Sequence, residues 1–187
     1  MNHCGVVAFA GHMIDQTNRS ASRFPPAAEP AVRARIRTAL QKLRPSAAIS
    51  SAACGGDIIF AEEALRYGTA LYVILPFANR ADFIRHSVAY AGVHWIERFH
   101  HVCDHATVTP YIVKPGSYRH DQDFEDNQRA LIFFALGMAA AHNLRPVGLI
   151  LCDVLQLGTQ IGGTRSFLEM CRDLDIAYEM IDIAALR

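Results

Sequence analysis

The sequence has no excess of charge, no basic run, no closely spaced cysteines and no apolar segment long enough to cross a bilayer. Lysine plus arginine number 18, as do aspartate plus glutamate. With no basic stripe to follow a phosphodiester backbone, a nucleic-acid partner is not expected. Small anions remain open, because one or two cations and a few amides suffice to hold them. Cys4, Cys54, Cys103, Cys152 and Cys171 are scattered along the chain. This spacing excludes a disulfide scaffold or a paired-cysteine zinc site and fits isolated thiols in a reducing compartment. No basic segment precedes the apolar residues 5–10, which are too few for a signal-peptide core. The longest apolar run, residues 130–141, falls well short of the ~20 residues that span a bilayer. A soluble cytoplasmic protein without a membrane partner is therefore expected. His101 and His105 have the spacing of a helical metal pair, but no glutamate in a zincin pattern accompanies them. No metal and no cofactor are expected, and no Ser-His-Asp order or cysteine-nucleophile motif stands out.

What is present is an alternation of apolar strands and amphipathic helices. Residues 5–10 form a continuous apolar run, as in a parallel strand covered on both faces. About 20 residues without clear periodicity follow, and Pro30 then opens a helix that Pro45 stops. Residues 46–65 read as strand, Gly55-Gly56 turn and helix. Further strands are predicted at 70–75, ended by Pro76, at 106–109, at 147–152 and at 176–183. The segment 77–82 is predicted to lead into a helix, and further helices are predicted at 93–105, 127–142 and 164–174, with loops at 110–126 and 153–163. This pattern predicts one α/β domain over residues 1–187. Its architecture is a three-layer, Rossmann-like open sheet of about six mainly parallel strands, with helices on both faces. The helix at 127–142 is apolar around nearly its whole circumference. It needs burial on more than one side, either against sheet and helix or in a homodimer.

The loop lengths point to a site. Connections leaving the first, fourth and fifth strands are long, whereas returns from helix to strand are brief. Ligands of open parallel sheets bind outside the carboxyl ends of the strands, the edge where those long loops meet. Glycine turns at that edge, Gly55-Gly56 and Gly162-Gly163, start helices whose free amides attract an anion. Thr164 either caps its helix or bonds a phosphate oxygen. Asp57 is either an N-cap or an acceptor for ribose hydroxyls. Gly11 and His12 follow the first strand directly, and Asp153 follows the fifth. Arg80, Arg119 and Arg165 lie in or beside the ligand-side loops, as phosphate partners would. Glu62, Glu63 and Glu169 are the candidate carboxylates, although paired glutamates on an early helical turn commonly face solvent.

Three groups of residues resemble the SLOG superfamily, which includes the DNA-processing Smf proteins and the LOG phosphoribohydrolases. Residues 50–75, with Ala53-Cys54-Gly55-Gly56-Asp57 and Tyr72-Val73-Ile74-Leu75, look like the Smf strand, glycine turn, aspartate, helix and strand. Gly162-Gly163-Thr164 looks like a reduced form of the late LOG glycine-threonine turn. The opening 9–15 and Leu75-Pro76-Phe77 look like stand-alone signalling members. The resemblance implies binding of a nucleotide or nucleotide-derived molecule at the chosen sheet edge, as a sensor or signalling module. The alternative it implies is a LOG-like N-glycosidase acting on a nucleoside monophosphate. Glu169 and Arg129 would then be the catalytic positions, Arg129 lying in Asn127-Gln128-Arg129, where the enzymes carry an arginine. The sequence departs from the LOG motif, since Glu169 follows Thr164 by five residues instead of three.

Overall fold

A computed structural model describes residues 5–16, 19–157 and 163–186. Six parallel strands form one open sheet: β1 (Val6–Gly11), β2 (Ala47–Ser50), β3 (Ala70–Phe77), β4 (Tyr111–Lys114), β5 (Pro146–Cys152) and β6 (Ala177–Asp182). Their spatial order is β4-β3-β2-β1-β5-β6, and every pairing is parallel. The helices are α1 (Glu29–Leu43), α2 (Gly56–Tyr67), α3 (Arg80–Phe83), α4 (His94–Asp104), α5 (Gln122–Ala141) and α6 (Thr164–Asp173). No helix among the described residues is long and apolar enough to cross a membrane.

The three layers follow from the two-residue period of β1. Val7 and Phe9 point into a core shared with Ile36 and Leu40 of α1, Phe60 of α2 and Trp95 and Phe99 of α4. Val6, Ala8 and Ala10 point to the opposite face, where Leu131 and Ile132 of α5 and Phe167 and Cys171 of α6 cover them. Phe9 and Phe60 stack with ring centroids 4.4 Å apart, joining β1 to α2. The α/β three-layer architecture expected from the sequence is thus the one observed. Because α5 packs on the sheet and beside α6, much of its apolar surface is covered within the chain. Phe133, on its outer side, remains 61 % exposed.

Three boundaries differ from expectation. β4 lies at Tyr111–Lys114, beyond the β-branched residues 107–109, because Ile74 to Phe77 pair with it in register while Thr107 contributes one backbone bond, to Leu71. β3 continues through Pro76. The proline is tolerated there because β2 ends at Ser50, opposite Val73, so one side of β3 has no ladder left to interrupt. Helix α5 begins at Gln122, about two turns before the apolar run. Asp123 Oδ2 accepts the backbone N–H groups of Arg119 and His120, at 2.8 and 3.4 Å, which fixes the chain as it enters the helix.

Glu62 and Glu63 are bound within the fold instead of facing water. Glu63, 2 % exposed, accepts from Arg33 and Arg37 of α1, while Glu62 accepts from Arg33 and from Arg98 of α4. Burial opposes their ionisation, yet the arginines hold both carboxyls below the ordinary glutamate range. This network fastens α1, α2 and α4 together on one side of the sheet.

Candidate functional site

The chain passes from β1 to β2 on one side and later returns to place β5 on the other side of β1. The carboxyl ends of β1 and β5 therefore flank the point where strand order reverses, and a crevice opens there. It holds a cavity of about 470 Å³. Gly11, His12, Asp57, Gly163 and Thr164 all line it, so the structure brings together residues from three separate stretches of the sequence.

His12 organises this convergence. Its backbone N–H donates to Leu151 O at 2.9 Å, and its carbonyl accepts Gly56 N–H at 3.0 Å. Its ring Nδ1 lies 3.2 Å from Thr164 Oγ1, across the crevice. The side chain is 4 % exposed, and its buried Nε2 has no hydrogen bond of ordinary geometry among the described residues. Burial lowers the ring's pKa to about 4, helped by the nearby Arg23 and opposed by Asp153 and Asp15. The imidazole is neutral at pH 7, so it offers one donor and one acceptor and no positive charge.

The Gly55-Gly56 turn has a different task from the one its sequence suggests. Gly55 has φ 94°, and a Cβ there would sit 2.3 Å from Ile14 N. A Cβ on Gly56 would sit 2.9 Å from Gly11 Cα. The Gly56 amide is taken by His12, and Ile58 N–H donates to Ala53 O at 3.3 Å. The glycines thus admit the chain leaving β1, which forms an isolated antiparallel bridge between Met13 and Gly55. They stand behind the cavity wall.

Asp57 does line the cavity. The cap position belongs to Gly55, and no side chain caps α2. Asp57 Oδ1 accepts Gly11 N–H at 3.2 Å and Oδ2 accepts Ala53 N–H at 3.4 Å, so the carboxyl staples the end of β1 to the turn before α2. It is 7 % exposed, and no ion pair to it occurs among the described residues. Burial pushes its pKa up to about 7, against the two backbone amides.

Other candidates fall outside the cavity lining. Gly162 lies outside the described residues. Arg80 is exposed at the start of α3, and Arg119 is exposed in the loop before α5. Arg129 points outward, 59 % exposed, 3.5 Å from Glu125. Arg165 and Glu169 pair with each other at 2.9 Å on the outer face of α6. Asp153, buried just after β5, accepts Leu155 N–H and the Gln156 side chain.

Several lining residues escape a reading of the sequence. Arg19 and Arg23 come from the long segment after β1. Asp15 shapes that segment: Oδ2 accepts Ser22 Oγ–H, Arg23 N–H and Phe24 N–H at 2.8, 2.8 and 2.9 Å, and Oδ1 lies 3.4 Å from Arg19 Nε. Phe83, His86 and Tyr90 line another wall, and Asp121, at the cap position of α5, joins Phe124, Asn127 and Gln128 of that helix. The last four share a helical stripe, a spacing that was available in the sequence once the helix was known to start before Asn127. The enclosure therefore combines two guanidinium groups, a planar aromatic wall, side-chain amides and a neutral imidazole.

No family model and no curated protein matches this chain. Among solved structures, the chain is similar to DNA processing protein A from Helicobacter pylori, at 13% identity and a TM-score of 0.39, over 98% of this chain and 78% of that one. That protein is described by its single-stranded DNA binding mode. The expectation of no nucleic-acid partner is corrected accordingly. It rested on balanced net charge, which limits extended electrostatic binding but says nothing about local cations such as Arg19 and Arg23.

Proposed function

We propose that this protein is a SLOG-like module that binds a nucleotide or nucleotide-derived small molecule in the crevice between the carboxyl ends of β1 and β5. The observation that carries this reading is the composition of the cavity. In about 470 Å³, within the ~300–1,000 Å³ range of small-molecule sites, cations, aromatic faces and amides surround one space. Arg19 and Arg23 suit phosphate oxygens, Phe83, Tyr90 and Phe124 suit a planar base, and Asn127 and Gln128 suit its polar edge.

The hydrolytic alternative, a phosphoribohydrolase-like N-glycosidase, requires a carboxylate beside the scissile bond. Glu169 is half exposed and paired with Arg165 away from the cavity, while the carboxylates lining it are Asp57 and Asp121. The binding reading is accordingly preferred. A thermal-shift screen with AMP, other nucleoside monophosphates, cyclic dinucleotides and NAD tests it. A ligand held at a hundred times its Kd raises stability by ~2.7 kcal/mol, a shift of several degrees. No shift with any of them rejects the reading. Chromatography of the same mixtures for free base is expected to show none; base release abolished by Asp57→Asn would instead establish the glycosidase.

A further inference from the structure

Resting on that reading, we infer that Ser51, Asp57 and Ser87 form a subsite for the adjacent hydroxyls of a ribose, so that the cavity takes ribonucleotides over their 2′-deoxy counterparts. All three line the cavity and are more than nine-tenths buried, with exposures of 6, 7 and 4 %. No hydrogen bond to the Ser51 or Ser87 hydroxyl occurs among the described residues. The Ser50 hydroxyl is sealed inside the fold, whereas these two keep surface on the cavity they line.

The backbone gathers the three groups around one short segment. Ser51 directly follows β2. Two residues on, Ala53 N–H donates to Asp57 Oδ2 at 3.4 Å, and Cys54 N–H donates to Ser87 O at 2.8 Å. The turn between β2 and α2 therefore holds Asp57 on one side and, on the other, Ser87 of the π-helical turn Ile84–Val88. Each Asp57 oxygen accepts one backbone N–H, so each keeps a lone pair for a further donor.

Such a set of groups suits a neutral polyol. A desolvated hydroxyl or carboxyl without a partner carries a penalty that a ligand hydroxyl, both donor and acceptor, removes. Burial brings Asp57 close to half-protonation at pH 7, and a hydroxyl serves either form, donating to the carboxylate or accepting from the acid. A phosphate set against Asp57 would bring like charges together, which directs it to Arg19 and Arg23. The 2′ and 3′ hydroxyls of ribose are the adjacent neutral pair that a nucleoside 5′-monophosphate offers. Without the 2′ hydroxyl, one of these buried groups is left unanswered in the complex, and the deoxy ligand is disfavoured.

Isothermal titration of the full chain with matched pairs, AMP, GMP, CMP and UMP each against its 2′-deoxy form, tests this. In every pair that binds, the ribonucleotide is expected to bind at least about tenfold more tightly. The double variant Ser51→Ala/Ser87→Ala removes hydroxyls that no protein group uses. It should shift the melting temperature of the unliganded protein by less than about 2 °C and lower the ribo-to-deoxy ratio at least about threefold, through weaker ribonucleotide binding. Equal affinities within a pair that binds, or a preference for the deoxy member, overturn the inference and leave the nucleotide reading standing. A lowered melting temperature with an unchanged ratio assigns the serines a structural role and likewise overturns it. Absence of binding by all eight overturns the inference; the nucleotide reading falls with it only if cyclic dinucleotides and NAD also fail to bind.

Discussion

The Gly55-Gly56 turn and the first two turns of α5 stand on the same edge of the sheet and differ in almost every other respect. The turn is the most conspicuous feature of the sequence, yet its Gly56 amide and its open space are taken up by the chain leaving β1. The segment that caps and opens α5 is polar and unremarkable in sequence, yet Asp121, Phe124, Asn127 and Gln128 all line the cavity. A glycine pair at a helix start thus reports close approach of a backbone, and that backbone can belong to the protein itself. In the proposed reading, ligand contacts would come from side chains brought close by the crevice this approach creates.

The sharpest way to break the comparison is to fill the turn. Gly55→Ala places a Cβ 2.3 Å from Ile14 N at a backbone angle that side chains rarely adopt. A loss of upwards of about 5 kcal/mol is expected, seen as failure to fold or as a large drop in the urea midpoint. A Gly55→Ala protein of normal stability would show that the turn has room to spare and restore its claim as an anion cradle.

Titration provides the next largest effect, through two cavity groups of opposite sense. Asp57 has a folded pKa raised by burial to about 7, above the ordinary aspartate value of 3.8. Its folded form holds a proton that the unfolded form releases, so stability falls as pH rises from about 4 to 7, by on the order of 4 kcal/mol. His12 has a folded pKa lowered to about 4 from 6.5, so the unfolded form binds the extra proton and stability rises with pH through that window. The two slopes offset each other between pH 4 and 6.5. Asp57→Asn should expose the rising slope of His12, and His12→Asn the falling slope of Asp57, in denaturation curves taken across that range. Parallel profiles in the two variants would show that neither group is held as the structure places it.

A smaller effect concerns the cations. Replacing Arg19 and Arg23 together by alanine should weaken binding of AMP by roughly ten- to a hundredfold, about 1.4 to 2.7 kcal/mol, with the loss growing at low salt. An unchanged affinity would move the phosphate elsewhere, and the glycine turn would be reconsidered. At the bottom of the scale, Glu169→Gln breaks an exposed pair with Arg165 and should change stability by less than ~0.5 kcal/mol and ligand affinity not at all.

Legibility in the sequence followed the length scale of the signal. Continuous apolar runs such as Val6 to Ala10 and Leu149 to Cys152 identify buried parallel strands, and the alternation of strands and helices gives the three layers. The short returns and long departures point to the sheet edge where the cavity lies, and Gly11, His12, Asp57, Gly163 and Thr164 all line that cavity. Orientation within a helix was harder to read. Arg129 and Glu169 sit on helices next to the site, but their side chains leave on the solvent side, a rotation that the helical period resolves only when the buried stripe is known. Arg19 and Arg23 escaped because no periodicity marks their segment; it is shaped by a single carboxylate, Asp15, bonding to residues seven to nine positions ahead.

His12 spends its amide on β5, its carbonyl on the turn before α2 and its ring on the first residue of α6. Adding or removing one residue between Gly11 and Met13 would break all three connections together. Chain-length variation among natural variants of this fold should therefore avoid that position.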